Sequence, residues 1–327
     1  MSNNLFNLEK IPHIEPNKKT ESKEYDLESG ITVTVNYREI NPKDKDKENI
    51  DHNGAVILLP GWEAETKDKT TIALSQQFSN SSQELTYIIT ADSKKNAAQS
   101  TENDMLYEEA TAISKFIKET GSKEIKLVGY SIGGDRAINI AQILQTDPEI
   151  KIQGLILLAP LGLYEQSPKE LTSHLINDSF VNTPKNLLKN KDKISNFAQW
   201  VKVAADVNLN TAKKTILSPG HICQLKRRIT EASHSNPRAA DLKVPIVLIN
   251  GADDSVSSKE EIAPIKEGAE NNIRLREQYL KNNVFKQSPY VRMIVPSREA
   301  NHGLPFFRSK SVADASLYLL DRFNREK

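Results

Sequence analysis

Six short runs of consecutive apolar residues alternate along this chain with segments of helical periodicity. The runs are Ala55–Leu59, Leu85–Ile89, Ile125–Val128, Ile152–Leu158, Val244–Ile249 and Tyr290–Val295. Strands buried on both faces of a parallel sheet have continuous apolar runs of this kind, whereas strands with one exposed face alternate apolar and polar residues. The pattern therefore predicts an α/β fold with a mostly parallel central sheet flanked by helices.

Helices and one hairpin account for much of the sequence around these runs. Apolar residues at helical spacing predict helices over Thr70–Phe78 and Thr101–Thr120, and a last helix from Val312 to Phe323 that packs on the sheet. Near the N-terminus, Lys23–Glu28 and Ile31–Tyr37 flank a Ser-Gly turn, and the second run alternates apolar with polar residues. These two runs predict an antiparallel hairpin at the edge of the sheet.

The alternation of strands and helices breaks between residues 164 and 240. This stretch carries helical signals but no convincing strand, so it is predicted to be a helical cap or lid inserted after the strand at about 152–158. Residues 1–24 contain few apolar residues at either period and are predicted to be a flexible arm. The predicted core is thus made of residues 25–163 and 241–327.

Composition excludes several classes of protein. The 44 Lys and Arg residues nearly balance 43 Asp and Glu, and a net charge of +1 disfavours a broad nucleic-acid-binding surface. The longest apolar run, Gly154 to Tyr164, is too short to span a bilayer, and no signal-peptide pattern is seen at the N-terminus, so we expect a cytoplasmic protein without stable membrane insertion. The single cysteine, Cys223, has no partner pair at metal-ligand spacing, and no metal or cofactor is expected. The sequence does not indicate an oligomeric state.

The most specific motif follows the third apolar run. Residues 125–134 read IKLVGYSIGG, in which Gly129-x-Ser131-x-Gly133 lies directly between a predicted strand and a predicted helix. A tight strand-to-helix turn of this kind admits only small residues two positions on either side of the serine, and it exposes the serine as a nucleophile. The backbone N–H of Ile132 then points from the helix N-terminus toward a developing oxyanion. A phosphate-binding loop is the alternative, but neither Gly-x-Gly-x-x-Gly nor a following Lys-Ser/Thr is present.

Candidates for a base and an acid follow two later strands. Asp253 and Asp254 come after Val244–Ile249, and His302 comes after the last predicted strand. A serine hydroxyl needs a histidine to take its proton, and the histidine needs a carboxylate to hold its tautomer. All three groups follow the carboxyl ends of strands, where open parallel sheets bind ligands.

In these motifs and in the order Ser, Asp, His, the chain resembles the α/β-hydrolase superfamily, in its serine-nucleophile branch of capped esterases, lipases and thioesterases. The resemblance implies Ser131 as nucleophile, His302 as base and Asp254 as acid, with Asp253 as the alternative acid. It also implies that the N–H of Trp62 is the oxyanion donor that accompanies Ile132. Many members have His-Gly where this chain has Pro60-Gly61, so a side-chain contact behind the oxyanion hole is lost while the backbone role is kept. Trp62 has a second reading as a core aromatic residue.

The resemblance implies a serine hydrolase that cleaves a small-molecule ester, thioester or related acyl substrate through an acyl-enzyme. Two alternatives stay open: an acyltransferase on the same triad, and a non-catalytic binding protein with this fold. The other five histidines match no motif position; they are His13, His52, His174, His221 and His234.

Overall fold

One eight-stranded sheet organises the part of the chain that the computed structural model describes. The described residues are 19–43, 53–61, 64–94, 105–161, 163, 167–177, 230–231, 236–251, 269–295 and 309–325. The strands are β1 (Glu21–Asp26), β2 (Thr32–Ile40), β3 (Gly54–Leu59), β4 (Leu85–Lys94), β5 (Glu124–Tyr130), β6 (Lys151–Leu158), β7 (Ile246–Ile249) and β8 (Val291–Ile294). They lie in the order β1-β2-β4-β3-β5-β6-β7-β8.

The six apolar runs form the parallel part of this sheet, as predicted. Every residue of β3 and of β7 is buried, and all pairs from β4 through β8 are parallel. β1 and β2 pair with each other antiparallel, and β2 pairs antiparallel with β4. The prediction of a mostly parallel sheet with a hairpin at its edge is confirmed.

Helices cover both faces of the sheet. Their bounds are α1 (Lys69–Ser82), α2 (Met105–Glu119), α3 (Ile132–Leu144), α4 (Pro168–Asn177), α5 (Ala269–Tyr279) and α6 (Ser309–Arg325). Alternate strand residues divide between two cores: Ile57 packs in the core that α2 and α3 cover, and Leu58 packs in the core that α1 and α6 cover. Each large apolar side chain buried in these layers contributes about 1.5–3 kcal/mol.

The hairpin begins earlier than the predicted boundary of the N-terminal arm. β1 starts at Glu21, because its pairing with β2 runs from Glu21 opposite Tyr37 to Asp26 opposite Thr32. Gly30 takes the left-handed backbone conformation in the turn, with φ of 76°. Residues 1–18 of the predicted arm lie outside the described residues.

The connection from β7 to β8 contains a helix that the apolar pattern did not predict. α5 ends at Tyr279 and continues into a π-helical turn, Leu280–Val284. Leu275 and Tyr279 are exposed, so α5 has no broad apolar stripe that marks it as a helix. The Glu277 carboxylate accepts a hydrogen bond of 2.8 Å from the backbone N–H of Met293, on the edge of β8 that faces away from β7.

Only parts of the predicted insertion are described. α4 begins with a reciprocal capping arrangement, in which the Ser167 hydroxyl bonds the Glu170 carboxylate at 2.7 Å and accepts from the Glu170 N–H at 3.2 Å. The hydrogen bonds that the Ser167 hydroxyl and the Ser167 backbone N–H donate to the Glu170 carboxylate lower the pKa of Glu170. Thr230 and Glu231 are helical, and a 3₁₀ turn at Pro237–Asp241 leads back to the sheet.

Candidate active site

Ser131 occupies the single-residue turn between β5 and α3. It has φ of 55° and ψ of −124°, a conformation that a residue with a β-carbon adopts at a cost of about 1–3 kcal/mol. Backbone hydrogen bonds fix the turn: the Ser131 N–H donates to Leu158 at 3.0 Å, and the Ser131 carbonyl accepts from Gly134 at 2.8 Å and from Leu161 at 3.1 Å. The sequence-predicted tight turn is therefore present and is anchored to the end of β6.

The two glycines that flank Ser131 are required by close backbone contacts. A β-carbon on Gly129 would lie 2.4 Å from the carbonyl oxygen of Gly133, and one on Gly133 would lie 2.1 Å from the carbonyl oxygen of Leu59. Gly133 thus packs directly on the end of β3. This contact explains why only glycine fits two positions after the serine.

Two further glycines, Gly61 and Gly134, border the same turn, and the Gly-x-Ser-x-Gly motif does not predict a packing role for either. A β-carbon on Gly134 would lie 2.6 Å from the Pro160 Cβ. One on Gly61 would lie 2.8 Å from the Tyr130 ring and 3.1 Å from the Ser131 Cβ. The loop that leaves β3 therefore reaches the serine only because it lacks a side chain at Gly61. For Gly134, its place directly after Gly133 in the sequence was the available signal.

The α3 N-terminus lies directly beside the serine. Ile132 is the first residue of α3 and is 1% exposed. The amides of a first helical turn have no partners within the helix, and together with the helix dipole they favour negative charge. The turn thus places the side chain of Ser131, a residue that is 2% exposed, next to helix-terminal amides that favour an anion.

The strands around β5 end at one level. Leu59, Gly129, Leu157, Leu248 and Met293 form one continuous row across β3, β5, β6, β7 and β8. Chain segments that follow these strands therefore start from the same edge as Ser131.

Several predicted site residues fall in those following segments, outside the described residues. They are Trp62, Asp253, Asp254 and His302. Of the sequence-predicted residues, the structure brings together Ser131, Ile132, Gly129 and Gly133.

The described residues include no group of three or more His, Cys, Asp and Glu side chains that could hold a metal ion. In the same part of the chain, no helix is both long enough and apolar enough to cross a membrane.

Residues 92–277 match the protein family described as serine aminopeptidase, S33. The match includes the Ser131 turn and covers more than half of the 327 residues. The chain belongs to this family. As an S33-family protein it is a hydrolase of the α/β-hydrolase superfamily, in agreement with the resemblance that its motifs carry.

Solved structures show the same fold along most of the S33-family chain. MGS-M2, an α/β-hydrolase enzyme from a Medee basin deep-sea metagenome library, has a TM-score of 0.55 and 13% identity, covering 91% of this chain and 97% of its own. The esterase EaEST from Exiguobacterium antarcticum has a TM-score of 0.54 and 15% identity, covering 92% of this chain and 100% of its own.

Est816, an N-acyl homoserine lactone degrading enzyme, has a TM-score of 0.52 and 16% identity, covering 94% of this chain and 99% of its own. At these identities the likeness shows the fold. A comparison with curated protein sequences gives no match.

Proposed function

We propose that this protein is a serine hydrolase that cleaves small carboxylic esters or thioesters through an acyl-enzyme on Ser131. The observation that carries the proposal is the backbone of Ser131, held at φ of 55° between β5 and the N-terminus of α3. Strain of this kind persists only where the surrounding structure enforces it, and it concentrates at functional sites. We further propose that residues 164–240 form the lid over this site and that the enzyme is cytoplasmic.

The strand ends support Asp254 and His302 as the partners of Ser131. β7 lies two strands from β5, and β8 lies three strands away, which corresponds to about 10 and 14 Å. Asp254 follows the end of β7 by five residues, and His302 follows the end of β8 by eight. Segments of these lengths can extend about 17 and 27 Å. Both side chains can therefore reach Ser131.

The proposed reaction has two halves. His302 takes the proton of the Ser131 hydroxyl as Oγ attacks the substrate carbonyl carbon, and the Ile132 and Trp62 amides stabilise the oxyanion that forms. The protonated His302, held by Asp254, then gives the proton to the departing alcohol or thiol. In the second half a water molecule loses a proton to His302 and attacks the acyl-enzyme, which releases the acid and restores the Ser131 hydroxyl.

Labelling of Ser131 tests the proposal. A fluorophosphonate should modify Ser131, as located by peptide mass spectrometry, and the wild-type protein should hydrolyse short-chain nitrophenyl esters. Ser131→Ala should abolish both, whereas Ser114→Ala, at a buried serine in α2, should change neither. Folded wild-type protein that shows neither labelling nor hydrolysis would remove the proposal and favour a non-catalytic binding protein.

The two neighbouring aspartates allow a matched comparison. Asp254→Asn should lower kcat by about 10⁴-fold, since the imidazole loses its tautomer, while Asp253→Asn should stay within threefold of wild type. The opposite result would assign the acid to Asp253. Added alcohol or thiol acceptors, with product analysis, separate a hydrolase from an acyltransferase.

The family description favours one second candidate, an aminopeptidase. The same triad chemistry releases an amine in place of an alcohol or thiol. Aminoacyl nitroanilides that are cleaved with a higher kcat/KM than the nitrophenyl esters would establish that candidate.

A further inference from the structure

At the end of the predicted insertion, the chain returns to the core against the two helices that begin at the Ser131 edge of the sheet. Residues 230–231 and 236–241, here called the return limb, contact α2 and α3 through the polar side chains of Glu231, Asn236 and Arg238. The Glu231 carboxylate accepts hydrogen bonds from the backbone amides of Met105 at 3.1 Å and Leu106 at 3.2 Å. A carboxylate in this position satisfies the free amides of the α2 N-terminus and complements the helix dipole.

Asn236 attaches the return limb to α3. Its side-chain nitrogen donates to the Asp135 carboxylate and, at 3.0 Å, to the Asn139 oxygen. Its side-chain oxygen accepts from the backbone amide of Arg238 at 3.0 Å. Asn236, Asp135 and Asn139 are 9%, 5% and 0% exposed. Buried polar groups of this kind hold one geometry, because breaking any bond leaves a desolvated partner.

Arg238 completes the attachment. Its guanidinium lies 4.1 Å from the centre of the Tyr107 ring on α2 and donates to the Asn139 oxygen on α3 at 3.4 Å. The return limb therefore bridges the starts of α2 and α3.

Asp135 stands in the first turn of α3, four residues after Ser131. Residues four apart lie above one another on a helix, so Asp135 and Asn139 continue the side of α3 that begins at the serine. A contact that fixes Asp135 also fixes the turn that presents Ser131 and the Ile132 amide.

We propose that Asn236 is a positioning residue for the Ser131 nucleophile, acting through Asp135. This inference rests on the proposed function of Ser131. Asn236 donates a hydrogen bond to the buried Asp135 carboxylate on α3, the helix that follows Ser131. The position of Ser131 therefore depends on the end of the insertion, where Asn236 lies.

Asn236→Asp is the discriminating variant. It keeps the size of the side chain and the oxygen that accepts from Arg238, but it removes the donor and places a second carboxylate against Asp135. We expect fluorophosphonate labelling of Ser131 and kcat to fall together by at least about tenfold, a loss of about 1.4 kcal/mol in transition-state stabilisation. KM should stay within twofold.

The double variant D135N/N236D reverses the hydrogen bond, because an asparagine at 135 can donate to an aspartate at 236. Asn139 can assist, since its side-chain nitrogen makes no hydrogen bond among the described residues and its amide can turn to donate. Labelling and kcat should return to within threefold of wild type. This rescue keeps the test informative even if N236D alone does not fold.

Asn283→Asp is the matched control. Asn283 is an exposed asparagine whose side chain donates to the Tyr279 carbonyl at 2.9 Å, and its change should leave labelling unaltered. A folded N236D with a wild-type labelling rate, or a double variant that folds but is not rescued, would overturn the inference.

Hydrogen exchange separates this inference from the proposed function. The amides of residues 132–135 should exchange faster in N236D than in wild type, whether or not Ser131 reacts with the probe. If the wild-type protein is not labelled but N236D exchanges faster, the proposed serine hydrolase function is wrong, while the proposed contact between the return limb and α3 is supported. Unchanged exchange would remove the contact.

Discussion

Gly133 packs against the carbonyl oxygen of Leu59 so closely that a β-carbon would come within 2.1 Å of it. The nucleophile turn and the loop that leaves β3 therefore cannot be displaced independently.

Gly133→Ala should destabilise the fold by about 3 kcal/mol, because the new methyl group meets backbone atoms that cannot rotate away. Ester hydrolysis should be lost at the same time. Urea unfolding measures the change. Gly30→Ala is the control: its β-carbon meets nothing within 4 Å, so only the positive φ contributes, at about 1–2 kcal/mol. Equal losses in both variants would contradict the packing argument.

The buried ion pair between Arg136 and Glu109 should show strong coupling. The two side chains are 2.8 Å apart and are 6% and 0% exposed. Glu109→Leu should lower the free energy of unfolding by about 3–5 kcal/mol, because it leaves a buried guanidinium without its carboxylate. The double variant E109L/R136M should recover most of this loss. Additive losses in the double variant, measured by urea unfolding, would show that the pair is not coupled.

Arg38 is a buried charged side chain, and we expect it to destabilise the fold. It is 8% exposed, its Nε makes no hydrogen bond among the described residues, and burial lowers the pKa of its guanidinium. Arg38→Met should raise the free energy of unfolding by about 1 kcal/mol, since it removes an unfavourable desolvation. Arg38→Lys keeps the charge and should bring no gain. A less stable R38M would indicate that the guanidinium has an anionic partner.

Acid should loosen the edge strand β1. The Lys23 ammonium, and after it the Tyr25 hydroxyl, hydrogen-bond the Glu119 carboxylate and lower its pKa. Because the pKa of Glu119 is lower in the folded state, its carboxylate stabilises the fold fully above pH 4.5, the ordinary pKa. This stabilisation is lost as the pH falls through the folded-state pKa. The protection factors of the β1 amides in hydrogen exchange, which correct for the pH dependence of intrinsic exchange, should fall below that pH. This acid response should vanish in Glu119→Gln. It should persist in the control Glu24→Gln, which changes another carboxylate, in β1 itself.

Local sequence patterns were sufficient for the strands and for the Ser131 turn. Buried parallel strands leave continuous apolar runs, and a turn that excludes every β-carbon leaves glycines at fixed positions. Each of these two patterns is contained within about ten consecutive residues. The second half of β4 was not predicted, because it contains polar residues such as Thr90 and Asp92 and does not continue the apolar run. Helix α5 was not predicted, because its sequence has no apolar stripe at helical spacing.

The network around Asn236 could not be predicted in this way. Asn236 and Asp135 are 101 residues apart in sequence, and each alone is an ordinary polar residue. Their burial and their mutual satisfaction appear only when the return limb is placed on α3. Sequence reasoning finds residues whose role is set by their neighbours in the chain, and it misses those whose role is set by packing.

The bond between Glu277 and Met293 affects how copies of this protein meet. The outermost strand of a sheet is a template on which further strands can assemble, and natural proteins block it. Ile246 and Asn250 of the β7 segment bond to Tyr290 and Ile294, so the outward amides of β8 are those of Val291 and Met293. A carboxylate on the Met293 amide leaves an incoming strand no donor at that position, so pairing along the β8 edge is opposed there.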